Sequence, residues 1–279
     1  VVDNAPAESR QASVYAEDLT LIGDEGPVFG PLNFSVPPHG ITVLTGTGGS
    51  GRTALALVLA GRMKPTKGKL SVLGMSQPRD IRRHVAIAGV DQIDLLERSV
   101  TVRDILNENK AWQRNWFLPY RKVGMKDLQY YCGAVYGQRP FPPLDAYISQ
   151  IPTLDKILLR ISLSLHPVNG DHIDMLVVDD VEQVREIGDR IELLNIFARL
   201  AEHMPVIVNS VNELPPGSPD HIELELNTNA GHVEGRARPA RAVAAAQLDQ
   251  GKHHAPEYHT DNHYTTAPSQ FAAETETRQ

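Results

Sequence analysis

The 279-residue chain has a single cysteine, Cys132. A lone thiol closes no internal disulfide and builds no Cys-rich metal site, so the composition excludes a disulfide-stapled miniprotein and fits a reducing compartment. Aromatics are scarce at 6%. No apolar run approaches the roughly 18 residues of a membrane span, and the opening VVDNAPAESR has neither the apolar nor the basic region of a signal peptide. Any membrane contact is therefore expected to be peripheral. A basic excess is missing as well: 27 Lys and Arg stand against 34 Asp and Glu, a net charge of -7. That balance offers no general attraction to phosphate backbones, and nucleic acid is not expected as a partner. What is present, 41% hydrophobic and 22% charged side chains, suffices for one large or two modest domains with a real core.

Patterning is clear to about residue 226. Short β-type runs (VYAEDLTLI, LNFSV, ITVLT, KLSVLG, VAIAG, MLVVD, VIVNS) alternate with helical stretches over TALALVLAGR and EQVREIGDRIELLNIFARLAEH. This alternation predicts an α/β domain with a largely parallel sheet. Ile41 to Thr45, Met175 to Val178 and Val206 to Val208 are the expected central strands, because near-continuous aliphatic runs suit strands covered on both faces. Between about 106 and 171 the strands give way to helical stretches, KDLQYYCGAVYG and LDKILLRISLSL, which read as an inserted helical subdomain. It holds nine of the sixteen aromatics: Trp112, Trp116, Phe117, Tyr120, Tyr130, Tyr131, Tyr136, Phe141 and Tyr147. They either pack a small helical core or line a docking surface. Residues 227–279 have few large aliphatics and no sustained period, and read as a disordered tail. Its histidines, including His253, His254, His259 and His263, have no element to fix them as metal ligands.

The segment Gly46-Thr47-Gly48-Gly49-Ser50-Gly51-Arg52-Thr53 follows an apolar strand and opens a helix. Glycines let consecutive N–H groups curl around an anion, the helix N-terminus adds its positive end, and the Thr53 hydroxyl suits Mg²⁺. Arg52 stands where this pattern calls for lysine. The charge survives, but a planar guanidinium does not occupy the place of a compact ammonium.

Residues 40 to 74, GITVLTGTGGSGRTALALVLAGRMKPTKGKLSVLG, closely resemble the start of an ATP-binding cassette (ABC) ATPase, with a helix ending in LAG and the Pro65 to Gly68 turn. The resemblance extends over about 12–226. It implies a P-loop NTPase core with a mostly parallel sheet, an N-terminal antiparallel β subdomain and the helical insertion, binding ATP with Mg²⁺. It makes Gln92, in VAIAGVDQ, a candidate Mg²⁺ ligand, and likens TVRDIL to the helix entering the insertion. In MLVVDD it assigns Asp179 to Mg²⁺ and Asp180 to the catalytic carboxylate that orients water. Asp180 is one methylene shorter than the family's glutamate.

Two other family elements are altered. The signature that closes the site across a dimer has its counterpart at Ile148-Ser149-Gln150-Ile151-Pro152, which keeps Ser149 and lacks both glycines. The switch histidine falls at Ser210 or Val211. An adenine-stacking aromatic is not assigned: Tyr15 is the only tyrosine upstream, and the family position lies nearer Ile22.

The resemblance implies the ATP-binding subunit of a membrane transporter, cytoplasmic and peripheral on the inner face of the cell membrane. It would pair as a homodimer or as a heterodimer with another nucleotide-binding subunit and dock on an integral membrane transporter subunit, hydrolysing ATP slowly if at all. The alternative is a catalytically inactive, nucleotide-responsive regulatory or scaffold subunit. A small-molecule kinase on the same loop is disfavoured by the LAG and Pro-Thr-x-Gly continuation.

Overall fold

Alternation of apolar and polar side chains builds the first layer. β1 (Val14–Gly23) and β2 (Gly26–Val36) pair antiparallel and turn Val14, Ala16, Leu19, Phe29, Leu32 and Val36 inward. The computed structural model describes residues 12–91, 93–113 and 121–226, and the backbone of 235–238. Thr45 ends β3 (Ile41–Thr45), and the chain then passes through α1 (Arg52–Leu59) to β4 (Lys67–Val72), which joins the other side of β1. This gives the expected antiparallel sheet, in the order β2-β1-β4.

The second sheet starts from β3, whose five residues are all buried. α2 (Pro78–His84) leads to β5 (Val85–Ala88), and later come β6 (Met175–Val178), β7 (Val206–Asn209) and β8 (His221–Glu225). Those five strands are mutually parallel, and β9 (Gly235–Arg238) adds antiparallel to β8, giving the order β5-β6-β7-β3-β8-β9. The three strands expected to be central are interior, each buried along its whole length. Aliphatic side chains on both faces require cover on both faces. One face, with the antiparallel sheet, α1 and α2, forms a core around Leu44, Leu55, Leu59, Val85 and Ile207.

The other face is covered by α3 (Val102–Trp112), α4 (Met125–Tyr136), α5 (Thr153–Ser164) and α6 (Ile187–Ala201). Thr101 starts α3 with a capping box: its hydroxyl accepts from Asp104 N while the Asp104 carboxylate takes Thr101 N. Helices from the expected insertion share one continuous core with the sheet, Leu128, Tyr136 and Leu158 packing in the same cluster as Val43, Leu176 and Val208. The aromatics divide. Tyr131 and Tyr136 are buried, whereas Trp112, Tyr130 and Tyr147 are exposed, and Trp116, Phe117 and Tyr120 lie outside the described residues.

Two boundaries differ from the sequence expectation. The long helical stretch expected from 182 begins only at Ile187, because Val181–Gln183 forms a separate 3₁₀ turn. Past 226, β9 lies within the stretch expected to be a tail, and the remainder of 227–279 lies outside the described residues. Among the described residues no helix is long and apolar enough to cross a membrane.

Cys132 lies fully buried on α4, and burial pushes its thiol up to about 11 despite a hydrogen bond with Ser162. The thiolate is the reactive form. The native chain is therefore expected to resist iodoacetamide at about pH 8 and to take up one label in urea, read by intact mass; rapid labelling without urea contradicts this burial.

Candidate functional site

The parallel strands deliver their carboxyl ends to one edge. Beyond Thr45 the loop 46–51 turns into α1, and close approach requires glycine at two places. A Cβ on Gly51, which sits at φ 80°, would lie 2.6 Å from Val28 O; one on Gly46 would lie 2.9 Å from Leu226 O. Ser50 N donates to Thr47 O at 3.1 Å, drawing the loop tight. α1 has no side-chain cap and no acid in its first turn, so its amino end keeps its positive character for an anion. Arg52 folds back over this loop, its Nη1 donating to Gly46 O and, at 3.4 Å, to Thr47 O.

β6 delivers the acids. Asp179 is buried, its Oδ1 accepts from Asn209 Nδ2 at 2.6 Å, and its own N–H donates to Ala88 O at 2.8 Å. The adjacent strand end is thereby fixed to it, since Asn209 closes β7. Asp180 follows in a left-handed conformation, φ 54° and ψ 79°, unusual for a residue with a side chain. Burial, and then the charge and hydrogen bond of Glu182 and the charge of Asp179, raise the Asp180 carboxyl above the usual range.

Glu182 behaves oppositely. Burial pushes it up, but the Ser210 hydroxyl and the amides of Asn212 and Val211 outweigh that and hold it below the usual range. Its Oε1 accepts from Ser210 Oγ at 2.7 Å, Val211 N at 2.9 Å and Asn212 N at 3.1 Å. Gln183 reaches the other way, donating through Nε2 to Gly89 O at 2.5 Å and accepting from Arg160 Nη1 at 2.7 Å. Arg160, buried on α5, also donates to both oxygens of Asp94. Asp94 in turn accepts from Gly89 N at 2.8 Å.

A cavity of about 250 Å³ gathers Arg52, Thr53, Asp179, Asp180, Glu182 and Asn209. Four of the sequence candidates are thus brought together: Arg52 and Thr53 from α1, Asp179 and Asp180 from β6. Gln92 lies outside the described residues, although its neighbour Asp91 lines the same cavity. Tyr15 lines a separate, larger groove beside β4. At the expected signature position, Ile148 and Ile151 are buried and Ser149 is exposed, so bulky side chains anchor a segment where glycines would have left backbone free. Glu182, Gln183 and Asn209 were not singled out from the sequence. Their signal was a polar residue closing an aliphatic strand (VIVN) and two polar residues flanked by valines (VEQV).

Among the described residues, Ser50 Oγ, Thr45 Oγ1, Glu182 Oε2 and Asn209 Oδ1 are buried without a hydrogen-bond partner. Such orphans mark places where a ligand or ion supplies the missing partner. Glu182 and Asn209 line this cavity, whereas Thr45 and Ser50 lie at the end of β3 and in the loop beyond it, and Thr42 Oγ1, also unpartnered, lies within β3.

A family model described as "ABC transporter" matches residues 29–137. Over those residues the chain is similar to the ATP-binding cassette (ABC) family. It is 35% identical over 85 residues to a cytochrome c biogenesis ATP-binding export protein, CcmA, of Xanthomonas axonopodis pv. citri, covering 30% of this chain and 40% of that protein. A Nod factor export ATP-binding protein I of Neorhizobium galegae is 34% identical over 102 residues, 35% of this chain and 29% of that one. These matches span well under half the length of either relative. A petrobactin import ATP-binding protein, FpuD, of Bacillus anthracis aligns over 69% of this chain and 68% of its own length at 21% identity. Among solved structures, cbiO1 of Clostridium perfringens superposes with a TM-score of 0.62 at 14% identity, over 80% of this chain and 87% of that chain. The ABC cassette therefore shares its fold with this chain, including the parallel sheet and the separate antiparallel sheet.

A carboxyl whose pKa is higher in the folded chain opposes folding once it ionises, and this penalty vanishes at low pH, where both states are protonated. Asp180→Asn in the nucleotide-free chain is accordingly expected to raise the urea midpoint at about pH 7. Part of that gain should disappear as pH falls through the raised value toward the ordinary aspartate range near about 4. Asparagine's tolerance of left-handed backbone leaves a pH-independent remainder. Equal gains at both pH values would contradict the raised carboxyl.

Proposed function

We propose that this chain is an ABC cassette that binds ATP with Mg²⁺ through residues 46–53, Asp179 and Asp180, and works as the ATP-binding subunit of a membrane transporter. The observation that carries the reading is the single cavity where Arg52 and Thr53 meet Asp179 and Asp180 at the head of the parallel strands. Asp91, Asp179, Asp180 and Glu182 face only Arg52 there, so a polyphosphate entering alone meets net negative charge. A hard divalent cation suits this oxygen-rich set, with Asp179 and the Thr53 hydroxyl as its holders and Gln92 as a further candidate. Mg²⁺ would supply charge neutralisation on the phosphate oxygens.

The chain's own groups do the rest. Loop amides and the amino end of α1 hold phosphate, Arg52 adds a positive charge at the loop, and Asp180 orients a water for in-line attack. Hydrolysis is slow in this reading. Arg52 is engaged with the carbonyls of its own loop, and the short Asp180 side chain sits on a strained backbone, where small misplacements cost up to about 10²-fold in rate.

The subunit would lie on the cytoplasmic face of the cell membrane, pair as a homodimer or with another nucleotide-binding subunit, and dock on an integral membrane partner. Support comes from relatives named as export and import ATP-binding proteins, and from a dimeric ABC cassette with ADP and phosphate that shares this fold at a TM-score of 0.55. The exposed Trp112 and Tyr130 suit such docking. A second reading, a nucleotide-responsive regulatory subunit without turnover, is favoured by the buried Ile148 and Ile151 at the signature position.

Calorimetric titration with ATP and Mg²⁺ is expected to give saturable binding, weakened about 10-fold by Arg52→Ala through loss of a charge-assisted contact. Equal affinity in both proteins removes Arg52 from the site. Saturable binding with no phosphate release above background selects the regulatory reading.

A further inference from the structure

Away from the phosphate cavity, the antiparallel sheet has an uncovered edge. In the order β2-β1-β4, β4 is paired on one side only, with β1, through Tyr15 and Ser71, Ala16 and Leu70, and Glu17 and Lys69. Val72 N and Val72 O both bond Met75, at 2.8 Å each, on the side turned away from β1. Residues two apart in an antiparallel ladder send amide and carbonyl to the same side. Leu70 therefore presents both groups to that open side, where no strand takes them among the described residues. A groove of about 1080 Å³ follows this edge, larger than the roughly 300–1,000 Å³ of small-molecule sites. The half-buried Met63, Leu70 and Leu73 line it together with Lys64, Lys67 and Lys69. Lys69 is paired with Glu17 at 3.2 Å, whereas Lys64 and Lys67 are exposed and have no ion pair among the described residues. Further positive charge stands close by: Arg79 and Arg82 are exposed on α2, whose Pro78 and Ile81 line the same groove, and Arg62 donates to Arg82 O at 3.1 Å. This basic cluster is set in a chain of net charge -7.

We infer that the open edge of β4 is a docking site for an extended acidic peptide of a partner protein, which adds as a strand along β4 and sets carboxylates against Lys64 and Lys67. The inference is independent of the nucleotide-binding reading. An added strand satisfies the Leu70 amide and carbonyl, and its alternate side chains reach the apolar floor and the lysines separately. A lipid headgroup offers no such backbone ladder. A second copy of this chain pairing edge to edge would bring its own β4 lysines against these, which is how edge lysines prevent self-pairing. Acidic residues on the incoming strand turn the same repulsion into attraction.

The test adds a fluorescent synthetic peptide of four Val-Glu repeats to the full chain without nucleotide. Anisotropy reads binding, and amide hydrogen exchange reads the edge. Saturable binding with Kd below about 100 μM is expected, with exchange at the Leu70 amide slowed at least about 10-fold in the complex. The double variant Lys64→Glu, Lys67→Glu is expected to weaken the peptide at least about 10-fold. Its urea midpoint should stay unchanged, because both lysines are exposed. Four Val-Lys repeats are expected not to bind. Absence of binding by the acidic peptide overturns the inference, and so does equal binding by the lysine peptide or by the double variant. Leu70 exchange that is the same with and without saturating peptide overturns strand addition. Dimerisation that protects Leu70 before any peptide is added would assign the edge to a second copy, and phosphatidylserine vesicles bound in place of the peptide would assign it to a membrane; either result overturns the peptide.

Discussion

The parallel register of three strands is the constraint on which the site depends. Val178 lies opposite Val208, and Leu44 opposite Asn209, so each of β6, β7 and β3 ends within one residue of its neighbour. The acids after β6, the loop after β7 and the phosphate loop after β3 consequently open at one edge, where an α/β sheet offers its crevice. The hydrogen bond from Asn209 to Asp179 pins two of these ends together in a buried setting, where polar contacts are strongest and their loss costs most. A slip of one residue in β7 would carry Asn209 to the opposite face and leave Asp179 without its donor.

Behind that edge the helices are connected to the site by charge as well as by packing. The apolar faces of α3 to α6 merge with one face of the sheet, so the helical segment and the sheet share a single core. Arg160 crosses from this helical layer and ends among Asp94, Gln183 and the carbonyl of Val90. A guanidinium buried so deeply is tolerable only when its donors are matched, and this one is matched by groups that belong to the site's own turns. Gly89 shows how close the layers lie, since a Cβ there would stand 2.2 Å from Asp179 O.

Much of this was legible in the sequence for a physical reason. ITVLT, MLVV and VIVN are buried on both faces, and such strands must be aliphatic throughout, so composition alone located the sheet's interior. The phosphate loop was equally visible, because backbone curvature around an anion demands glycine at fixed spacing. The acids Asp179 and Asp180 were assigned through the family resemblance, yet the geometry adds Glu182, whose partners lie at 210 to 212 and leave no local pattern. Asn209 was hidden for the same reason: its importance comes from a neighbour thirty residues away. The helix expected from 182 starts late, where Glu182 accepts from the amides of a distant loop and Gln183 donates to Gly89 O, contacts that hold Val181–Gln183 as a separate 3₁₀ turn.

Neighbouring side chains on the 3₁₀ turn Val181–Gln183 pull in different directions, Glu182 toward the loop after β7 and Gln183 toward Gly89 and Arg160. With about three residues per turn, each step along such a turn swings a side chain by about 120°. One residue gained or lost ahead of Glu182 would rotate both side chains by about 120° in the same sense and break both connections together. The spacing from Asp179 to Gln183 is therefore a constraint of length as well as of side-chain identity, since each connection needs its residue at its own angle on the turn.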